Sequence, residues 1–272
     1  MKVKQVFSIL FAVFIGLQSC GEKDPCCDVT TPTEFLKGVF IVNEGPFGGT
    51  GTISWYNPDT GEVQDSLFEK ANNGATLGQF VQSLYFHEGK GYIVVNGANR
   101  VVVVDAKTFQ YLDTIGGLEQ PRFFLPVDQH TAYISQWGPD GITGSVAKVD
   151  LNTNKILKTI PAGSGPEKML QVNDRIFVAN SGGYGLDSTL TEINLNDDVA
   201  QKIALPAGSN PACLGLNTFQ SPASLVYLCK GYFNDPIPVG RLDFLLPGIP
   251  GVEVPAYSDD LVKDTNTGAF YF

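Results

Sequence analysis

The chain has 272 residues, of which 43% are hydrophobic and 11% aromatic, and it carries 18 Lys and Arg against 28 Asp and Glu, a formal net charge of −10. The hydrophobic fraction excludes a disordered chain, and the acidic balance argues against a nucleic-acid partner, because a phosphate backbone calls for a basic face. With only 2 His residues, the chain offers little material for a His-based catalytic site or a His-rich metal site.

The N-terminus has the pattern of an export signal. Lys2 and Lys4 give a short basic start, and a largely apolar run follows over residues 6–17. This run is too short to span a bilayer as a helix, but it has the length of a secretory h-region. It leads into Leu-Gln-Ser-Cys at residues 17–20, which resembles the bacterial lipobox. The resemblance implies cleavage before Cys20 and acylation of that residue. An ordinary secretory signal with an incidental Cys is the alternative.

These features predict three segments. Residues 1–19 are the lipoprotein signal peptide, residues 20–36 are a lipidated tether, and residues 37–272 are the folded domain. Two or three acyl chains on Cys20 would hold the protein stably in outer-membrane lipid, which a single chain does not do. Gly-Glu-Lys-Asp at residues 21–24 resembles the acidic flank that marks surface export of lipoproteins in some Gram-negative bacteria. We therefore expect a lipid-anchored outer-membrane protein exposed on the cell surface, although a solvated tether would also be charged.

A repeat dominates the folded domain. Its first landmark is a segment led by an aromatic residue, at positions 40, 92, 133, 177, 227 and 271. Its second is a Pro at 121, 166 and 211, and its third is a strand end in Asp or Asn at 57, 105, 150 and 194. A repeat of about 40 to 50 residues that holds four short strands is the signature of a propeller blade. We therefore predict an all-β fold, a β-propeller of four-stranded blades.

The landmarks divide each blade into an inner strand A that begins at the Pro, an aromatic-led strand B, a strand C that ends in Asp or Asn, and an outer strand D. The repeat opens at strand B near Gly38 and stops at Phe272 within strand B of a sixth blade. The sequence therefore holds about five blades and part of a sixth, and we interpret it as a C-terminally truncated seven-bladed ring. A five-bladed ring closed by residues 258–266 is the alternative. Residues 244–257 depart from the usual pattern of strand D.

The repeat resembles a known family. Phe-Ile-Val-Asn at 40–43, Tyr-Ile-Val-Val-Asn at 92–96 and Phe-Val-Ala-Asn at 177–180 look like the Tyr-Val-Thr-Asn repeat of YncE-like propellers. The loops at 162–166 and 207–211 match that family's Val-Gly-x-x-Pro segment before strand A. The likeness covers roughly residues 38–245 and extends to a branch of surface lipoproteins. Some members of that group capture cobalamin for TonB-dependent transporters, so the resemblance implies a corrinoid or other nutrient as ligand and a transporter as partner.

One face of the predicted propeller carries the candidate binding residues. The B–C and D–A loops share that face, and they combine large aromatic residues with amides and charges, which suits a planar or sugar-like ligand. The predicted ligand-binding residues are Glu44, Phe47, Gln79, Arg122, Gln136, Trp137, Asn180, Tyr184, Asp187, Tyr232 and Phe233. The D–A loops also carry Phe80, Phe123, Glu167 and Lys168. In the alternative interpretation, the aromatic residues pack against neighbouring blades at the edge of the core.

The sequence predicts binding without catalysis. His87 and His130 fall in predicted A–B turns on the opposite face, and the sequence has no nucleophile elbow, His-Glu-x-x-His or Cys-x-x-Cys motif. We predict no catalytic residue, no cofactor and no metal, with calcium on Asp140, Asp187 and Asp235 as a weaker alternative. The rival functions are an adhesion or envelope-scaffold propeller that binds protein or glycan, and a propeller hydrolase. Cys213 and Cys229 are either a disulfide pair or two small buried hydrophobic residues.

Overall fold

The computed structural model describes residues 38–218, 224–231, 240–245, 251–254, 260–264 and 269–271. The predicted signal peptide, the tether with Cys20, and the loop that carries Tyr232, Phe233 and Asp235 lie outside the described residues.

The described residues form antiparallel sheets that follow one another along the chain. The first sheet has strands β1 (Val39–Asn43), β2 (Thr52–Tyr56) and β3 (Val63–Gln64), and the short helix α1 (Leu67–Ala71) follows it. The second has β4 (Val81–His87), β5 (Lys90–Val95), β6 (Arg100–Asp105) and β7 (Tyr111–Ile115), with a 3-10 turn at Asn96–Ala98. The third has β8 (Pro121–Pro126), β9 (Thr131–Gln136), β10 (Ser145–Asp150) and β11 (Lys155–Pro161).

The later sheets repeat this plan. The fourth has β12 (Pro166–Val172), β13 (Arg175–Asn180), β14 (Thr189–Asn194) and β15 (Ala200–Ala204). The fifth has β16 (Pro211–Asn217), β17 (Ser224–Cys229), β18 (Gly240–Phe244) and β19 (Val252–Val254), and the last has β20 (Val262–Lys263) and β21 (Phe270–Tyr271). No helix in the described ranges is long and apolar enough to cross a membrane.

This arrangement confirms the predicted β-propeller. Each four-stranded sheet pairs its strands in chain order, and the inner strands β4, β8, β12 and β16 pack side by side in succession. The described residues therefore form five blades, and β20 with β21 forms part of a sixth. The first blade begins at strand B, as predicted, and β19 supplies the fourth strand of the fifth blade. The seven-bladed ring stays a prediction.

The core lies between successive blades, so the central strands are apolar on both faces. Residues 101–104, four consecutive valines in β6, are all buried. Tyr92 of the second blade stacks on Phe124 of the third, with ring centroids 4.4 Å apart and planes 15° apart. Large aromatic side chains thus fill the wedge between neighbouring sheets, which explains why strand B carries an aromatic residue near its middle.

The two cysteines of the fifth blade are buried and free. Cys213 on β16 and Cys229 on β17 pack in different hydrophobic clusters. Burial raises the pKa of both thiols, that of Cys229 to about 12, so they are protonated at neutral pH. Of the two alternatives, the structure has the small buried hydrophobic residues rather than the disulfide.

The polar residue that ends strand B holds strand C in place. Asn180 is fully buried, and its Nδ2 donates to Oγ1 of Thr189 at 2.9 Å and to Oγ1 of Thr191 at 3.0 Å. Gln136 does the same in the third blade, where its Nε2 donates to Oγ of Ser145 at 2.9 Å. The Asn of the sequence repeat is therefore a structural residue, because its buried amide is satisfied by the hydroxyl groups of strand C in the same blade.

We expect Asn180→Ala to lower the free energy of unfolding by about 1–3 kcal/mol, because the variant removes two hydrogen bonds of a fully buried amide and leaves the space of that amide empty. The matched control is Gln201→Ala, which removes an exposed amide from the outer strand β15 and should change stability by less than about 0.5 kcal/mol. Urea unfolding followed by circular dichroism measures both variants. Equal effects of the two substitutions would contradict the structural role of the repeat Asn.

Candidate ligand-binding site

Four inner strands place one residue each at the loop end of the propeller axis. These residues stand directly after the first residue of β4, β8, β12 and β16, and they are Gln82, Arg122, Glu167 and Ala212. Each of these strands has a register shift at this point. A bulge of this kind re-aims the side chain that follows it, and Pro fits the first position of a strand because no ladder hydrogen bond is needed there.

The four residues line one cavity of about 290 Å³. The rest of its wall comes from the inner strands, the loops beyond strand B and the partial sixth blade, and consists of Phe123, Trp137, Lys168, Lys230 and Asp260. The cavity therefore lies on the face that the sequence predicts to carry the ligand, between the D–A and B–C loops.

Arg122 is the most tightly held of these residues. Its Nε and Nη2 donate to the two carboxylate oxygens of Glu167 at 3.1 and 3.0 Å, and its Nη1 donates to Oε1 of Gln82. Its guanidinium carbon lies 4.3 Å from the centroid of the Trp137 ring, a cation–π contact. Because the bidentate pair and the stacking act together, the guanidinium has one fixed orientation.

Aromatic rings continue from the cavity to the outer rim. Trp137 meets Tyr184 edge to face, with ring centroids 5.4 Å apart, and Tyr184 is 72% exposed. The Tyr184 ring covers Gly141, where a Cβ would lie 2.1 Å from Tyr184 Cδ2, and Gly141 has a φ of +71°. Glycine is therefore required at this crossing of the B–C loops of the third and fourth blades.

Two lysines complete the wall. Lys168 pairs with Asp260, which precedes β20 of the partial sixth blade, and its ammonium lies 5.6 Å from the centroid of the Phe123 ring. Lys230 follows β17 and pairs with no carboxylate among the residues that the structure describes. The cavity thus joins charges from three blades and the partial sixth, from Arg122 to Asp260 along the chain.

The predicted residues of the first two blades form a separate group. The loop after β1 packs against the segment before β4, since Gly51 N donates to Gly78 O at 2.8 Å. Phe47 is 93% exposed, and its ring centroid lies 6.0 Å from that of Phe80. Glu44 is exposed and Gln79 half-buried in the same two segments, and neither lines the cavity.

Three other predicted residues have polar groups that the fold already uses. Gln136 and Asn180 bind strand C, and Gln136 Oε1 also accepts from Glu119 N at 2.9 Å. The carboxylate of Asp187 accepts from Ser164 N at 2.7 Å and from Thr189 Oγ1 at 2.6 Å. These side chains position the loops. Of the predicted residues, Arg122 and Trp137 line the cavity, and Tyr184 contacts Trp137.

The carboxylate of Asp140 is also engaged within its own loop. It accepts from the Thr143 hydroxyl at 2.6 Å and from the backbone N–H groups of Thr143 and Ile142. These bonds lower its pKa to about 2, with the Thr143 hydroxyl the largest cause. The described part of the chain contains no group of three or more His, Cys, Asp or Glu that could hold a metal ion.

The cavity includes residues that sequence reasoning missed as well as some that it placed on the loops. Phe123, Glu167 and Lys168 were on the predicted D–A loops, whereas Gln82, Ala212, Lys230 and Asp260 were not selected. A signal was available for the inner ring, because Arg122, Glu167 and Ala212 each follow one of the periodic prolines at 121, 166 and 211. Asp260 offered no such signal, since no landmark precedes it.

Comparisons with known proteins agree with the fold. The profile of the family described as Domain of unknown function (DUF5074) matches residues 37–209, and no curated protein matches the sequence. Hydrazine synthase of Kuenenia stuttgartiensis superposes with a TM-score of 0.58 at 12% identity, over 89% of this chain and 72% of that one.

Two structures from Bacteroides thetaiotaomicron are also similar. A quinoprotein alcohol dehydrogenase-like protein has a TM-score of 0.53 at 15% identity, over 82% of this chain and 52% of that one. The extracellular domain of a protein described as a hybrid two-component system has a TM-score of 0.55 at 12% identity, over 84% and 30%. Such low identities establish the fold alone. The resemblance to YncE-like proteins and to the cobalamin-capturing group stays a prediction.

We expect Arg122→Met and Glu167→Met each to lower the free energy of unfolding by about 1–3 kcal/mol, because each leaves a largely buried charge without its counter-ion. In a double-mutant cycle the pair should show a coupling energy of about 1–3 kcal/mol. The matched control is the cycle for Asp174 and Arg175, a more exposed pair with a 3.9 Å contact, which should couple by less than about 1 kcal/mol. Urea denaturation measures both cycles, and equal couplings would contradict the anchoring role of Arg122.

Proposed function

We propose that this chain, which belongs to the DUF5074 family, is a surface-exposed lipoprotein that binds a ligand on the loop face of its propeller. The observation that carries the proposal is the cavity at the axis, where Arg122 and Trp137 of the third blade, Glu167 of the fourth and Lys230 of the fifth converge. Concave sites with a few oriented polar groups between aromatic walls are the usual form of small-molecule binding sites.

The polar lining of the cavity supports binding over a purely structural role. Burying the Arg122–Glu167 pair carries a desolvation penalty that a pair of apolar side chains at the same positions would avoid. The guanidinium is held before any ligand arrives, by Glu167, Gln82 and Trp137. A preorganised site of this kind loses little conformational entropy when a ligand binds, so little binding free energy is lost to the ordering of side chains.

The specific ligand that the family resemblance suggests is a corrinoid. A cavity of about 290 Å³ is at the lower end of pockets for drug-sized ligands, and a corrinoid is larger than such ligands. A corrinoid would therefore lie across the loop face, with Tyr184 beneath its ring system and only a side group in the cavity. Delivery of that ligand to a TonB-dependent transporter of the outer membrane belongs to the same proposal.

We further propose that binding proceeds without catalysis. Gln82, which lines the cavity, lies at the start of β4, and His87 is the last residue of that strand. Five residues of extended chain span about 16 Å, so His87 lies about that far from the ligand site. Its Nε2 lies 3.0 Å from Asp128 O. The second histidine, His130, precedes strand β9 in the equivalent turn of the next blade.

A second candidate function is adhesion or envelope scaffolding through protein or glycan. The observation that favours it is the exposure of large apolar side chains on the same face, where Phe47 is 93%, Tyr184 72% and Leu186 52% exposed. Apolar side chains of this size on loops are common in surfaces that bind macromolecules.

We expect the acylated chain to bind cyanocobalamin with a Kd tighter than micromolar, and Tyr184→Ala to weaken that binding about five- to tenfold because a stacking surface is lost. The matched control is Tyr111→Ala, which removes an exposed tyrosine from the outer strand β7 and should leave the Kd unchanged. Isothermal titration calorimetry measures all three proteins.

A Kd of cyanocobalamin weaker than micromolar would remove the corrinoid but not the ligand-binding proposal. A wider screen of sugars, peptides and organic acids by thermal shift then tests ligand binding itself. If no small molecule binds while a macromolecule is retained by the immobilised protein, the adhesion or scaffold function takes its place.

The lipid anchor has its own test. We expect Cys20→Ser to abolish acylation, because only a thiol accepts the acyl-bearing group at the lipobox, and to move the protein from the detergent phase to the aqueous phase in Triton X-114 partitioning. Cys26→Ser is the matched control and should stay in the detergent phase. Intact mass spectrometry reports the acyl chains directly, and an unmodified wild-type chain would contradict the anchor.

A further inference from the structure

We infer that the axial cavity takes a small organic anion, in which a carboxylate or an equivalent acidic group is attached to a planar apolar group, and that Lys230 is the cation that selects it. This inference rests on the proposed ligand-binding function and names the chemical class of the ligand.

The charges of the cavity do not balance. Its wall carries three cations, Arg122, Lys168 and Lys230, but only two carboxylates, Glu167 and Asp260. Arg122 pairs with Glu167 and Lys168 pairs with Asp260, which leaves Lys230 as the unmatched charge among the described residues. The whole chain has a net charge of −10, so a local excess of positive charge does not follow from the composition. A negative group on the ligand would balance it.

The hydrogen-bonding groups show the same imbalance. Both carboxylate oxygens of Glu167 accept from Arg122, and Asp260 Oδ1 accepts from Lys168 and from Leu261 N. Gln82 Oε1 accepts from Arg122. The carboxylates and the amide oxygen of the wall are therefore engaged. Within the described residues, the donor atoms of the wall left without a partner are Lys230 Nζ, Gln82 Nε2 and the buried Trp137 Nε1, so the site is suited to a ligand that accepts hydrogen bonds.

The position of the acidic group follows from a gap in the inner ring. Ala212 has only a methyl group where the equivalent residues of the three preceding blades are Gln82, Arg122 and Glu167. Lys230 belongs to the same blade as Ala212, since it directly follows the strand β17 that pairs with β16. The space that Ala212 leaves open therefore lies beside the unmatched ammonium group, and we place the carboxylate of the ligand there.

The remaining wall fixes the shape of the ligand. Phe123 and Trp137 are aromatic, and each ring has a cation over one face, Lys168 at 5.6 Å and Arg122 at 4.3 Å from the respective ring centroids. A planar apolar group would pack against these rings, with aromatic contact worth about 0.5–1.5 kcal/mol beyond the buried area. The volume of about 290 Å³ admits a ring system of one or two cycles rather than a polymer.

The test titrates three carboxylates, benzoate, 2-naphthoate and indole-3-acetate, each beside its neutral amide, into the full-length mature protein at low ionic strength. Isothermal titration calorimetry should show at least one carboxylate bound about tenfold or more tightly than its amide, because only the anion pairs with the ammonium group. Acetate, which lacks a ring, should bind more weakly than the preferred carboxylate. Raising the salt concentration should reduce the preference for the anion.

Two variants assign the effect to its residue. Lys230→Met should reduce the affinity for the preferred carboxylate about tenfold and leave that of the amide unchanged. The matched control is Lys202→Met on the outer strand β15, which changes the net charge by the same amount and should not alter either affinity. Ala212→Leu should weaken carboxylate and amide alike by filling the gap, and an unchanged circular dichroism spectrum and Tm confirm that each variant is folded.

Three results would overturn the inference: amides that bind as tightly as carboxylates, a Lys230→Met protein that retains the full preference for the anion, or no binding of any of the three carboxylates. The inference and the proposed function fail separately. If cyanocobalamin or another screened compound binds while the carboxylates do not, the ligand-binding function stands and the ligand class is wrong. If no small molecule of any class binds, the proposed function fails as well.

Discussion

The packing of each sheet between two neighbouring sheets is the constraint on which the rest of this structure depends. A middle strand such as β6 has no solvent-facing side, so residues 101–104 are valines and not an alternation of apolar and polar residues. The wedge between blades widens away from the axis and is filled by rings such as Tyr92 on Phe124. The strand ends, the loops and the axis are less constrained by this packing and can carry polar groups, so they are the places where a site can form.

Polar residues near the strand ends make hydrogen bonds of two kinds, within a blade and between loops. Asn180 saturates the hydroxyl groups of strand C within its own blade, and Asp187 joins two adjacent loops through Ser164. These bonds fix the loops that frame the cavity, so the candidate site has a rigid rim. The same bonds explain why polarity on a loop does not identify a ligand contact: a buried amide with satisfied hydrogen bonds has nothing left to offer a ligand.

The axis is where side chains from more than two blades face the same cavity. The bulge at the start of each of the inner strands β4, β8, β12 and β16 directs one side chain per blade to the axis. The four positions are equivalent in the repeat, but their residues differ in charge and size. Arg122 and Glu167 neutralise one another across two blades, whereas Ala212 leaves space. In a repeat protein, different residues at equivalent positions of successive repeats can together form a specific site.

The all-β class, the four-stranded blades and the opening at strand B were predicted from the sequence, because the period of the landmarks reflects local strand and turn chemistry that each blade repeats. The shared loop face and residues such as Arg122 and Trp137 also followed from that phase. The sequence could not separate loop residues that bind from those that hold the fold, as with Asn180, since both roles use polar side chains at strand ends. Nor did the sequence indicate that Asp260 and Lys230 lie at the cavity, because contacts across the axis join residues far apart in the chain. Local periodicity thus determined the architecture, and only the arrangement of the blades around an axis decided which charges meet and which one, among the described residues, has no counter-ion.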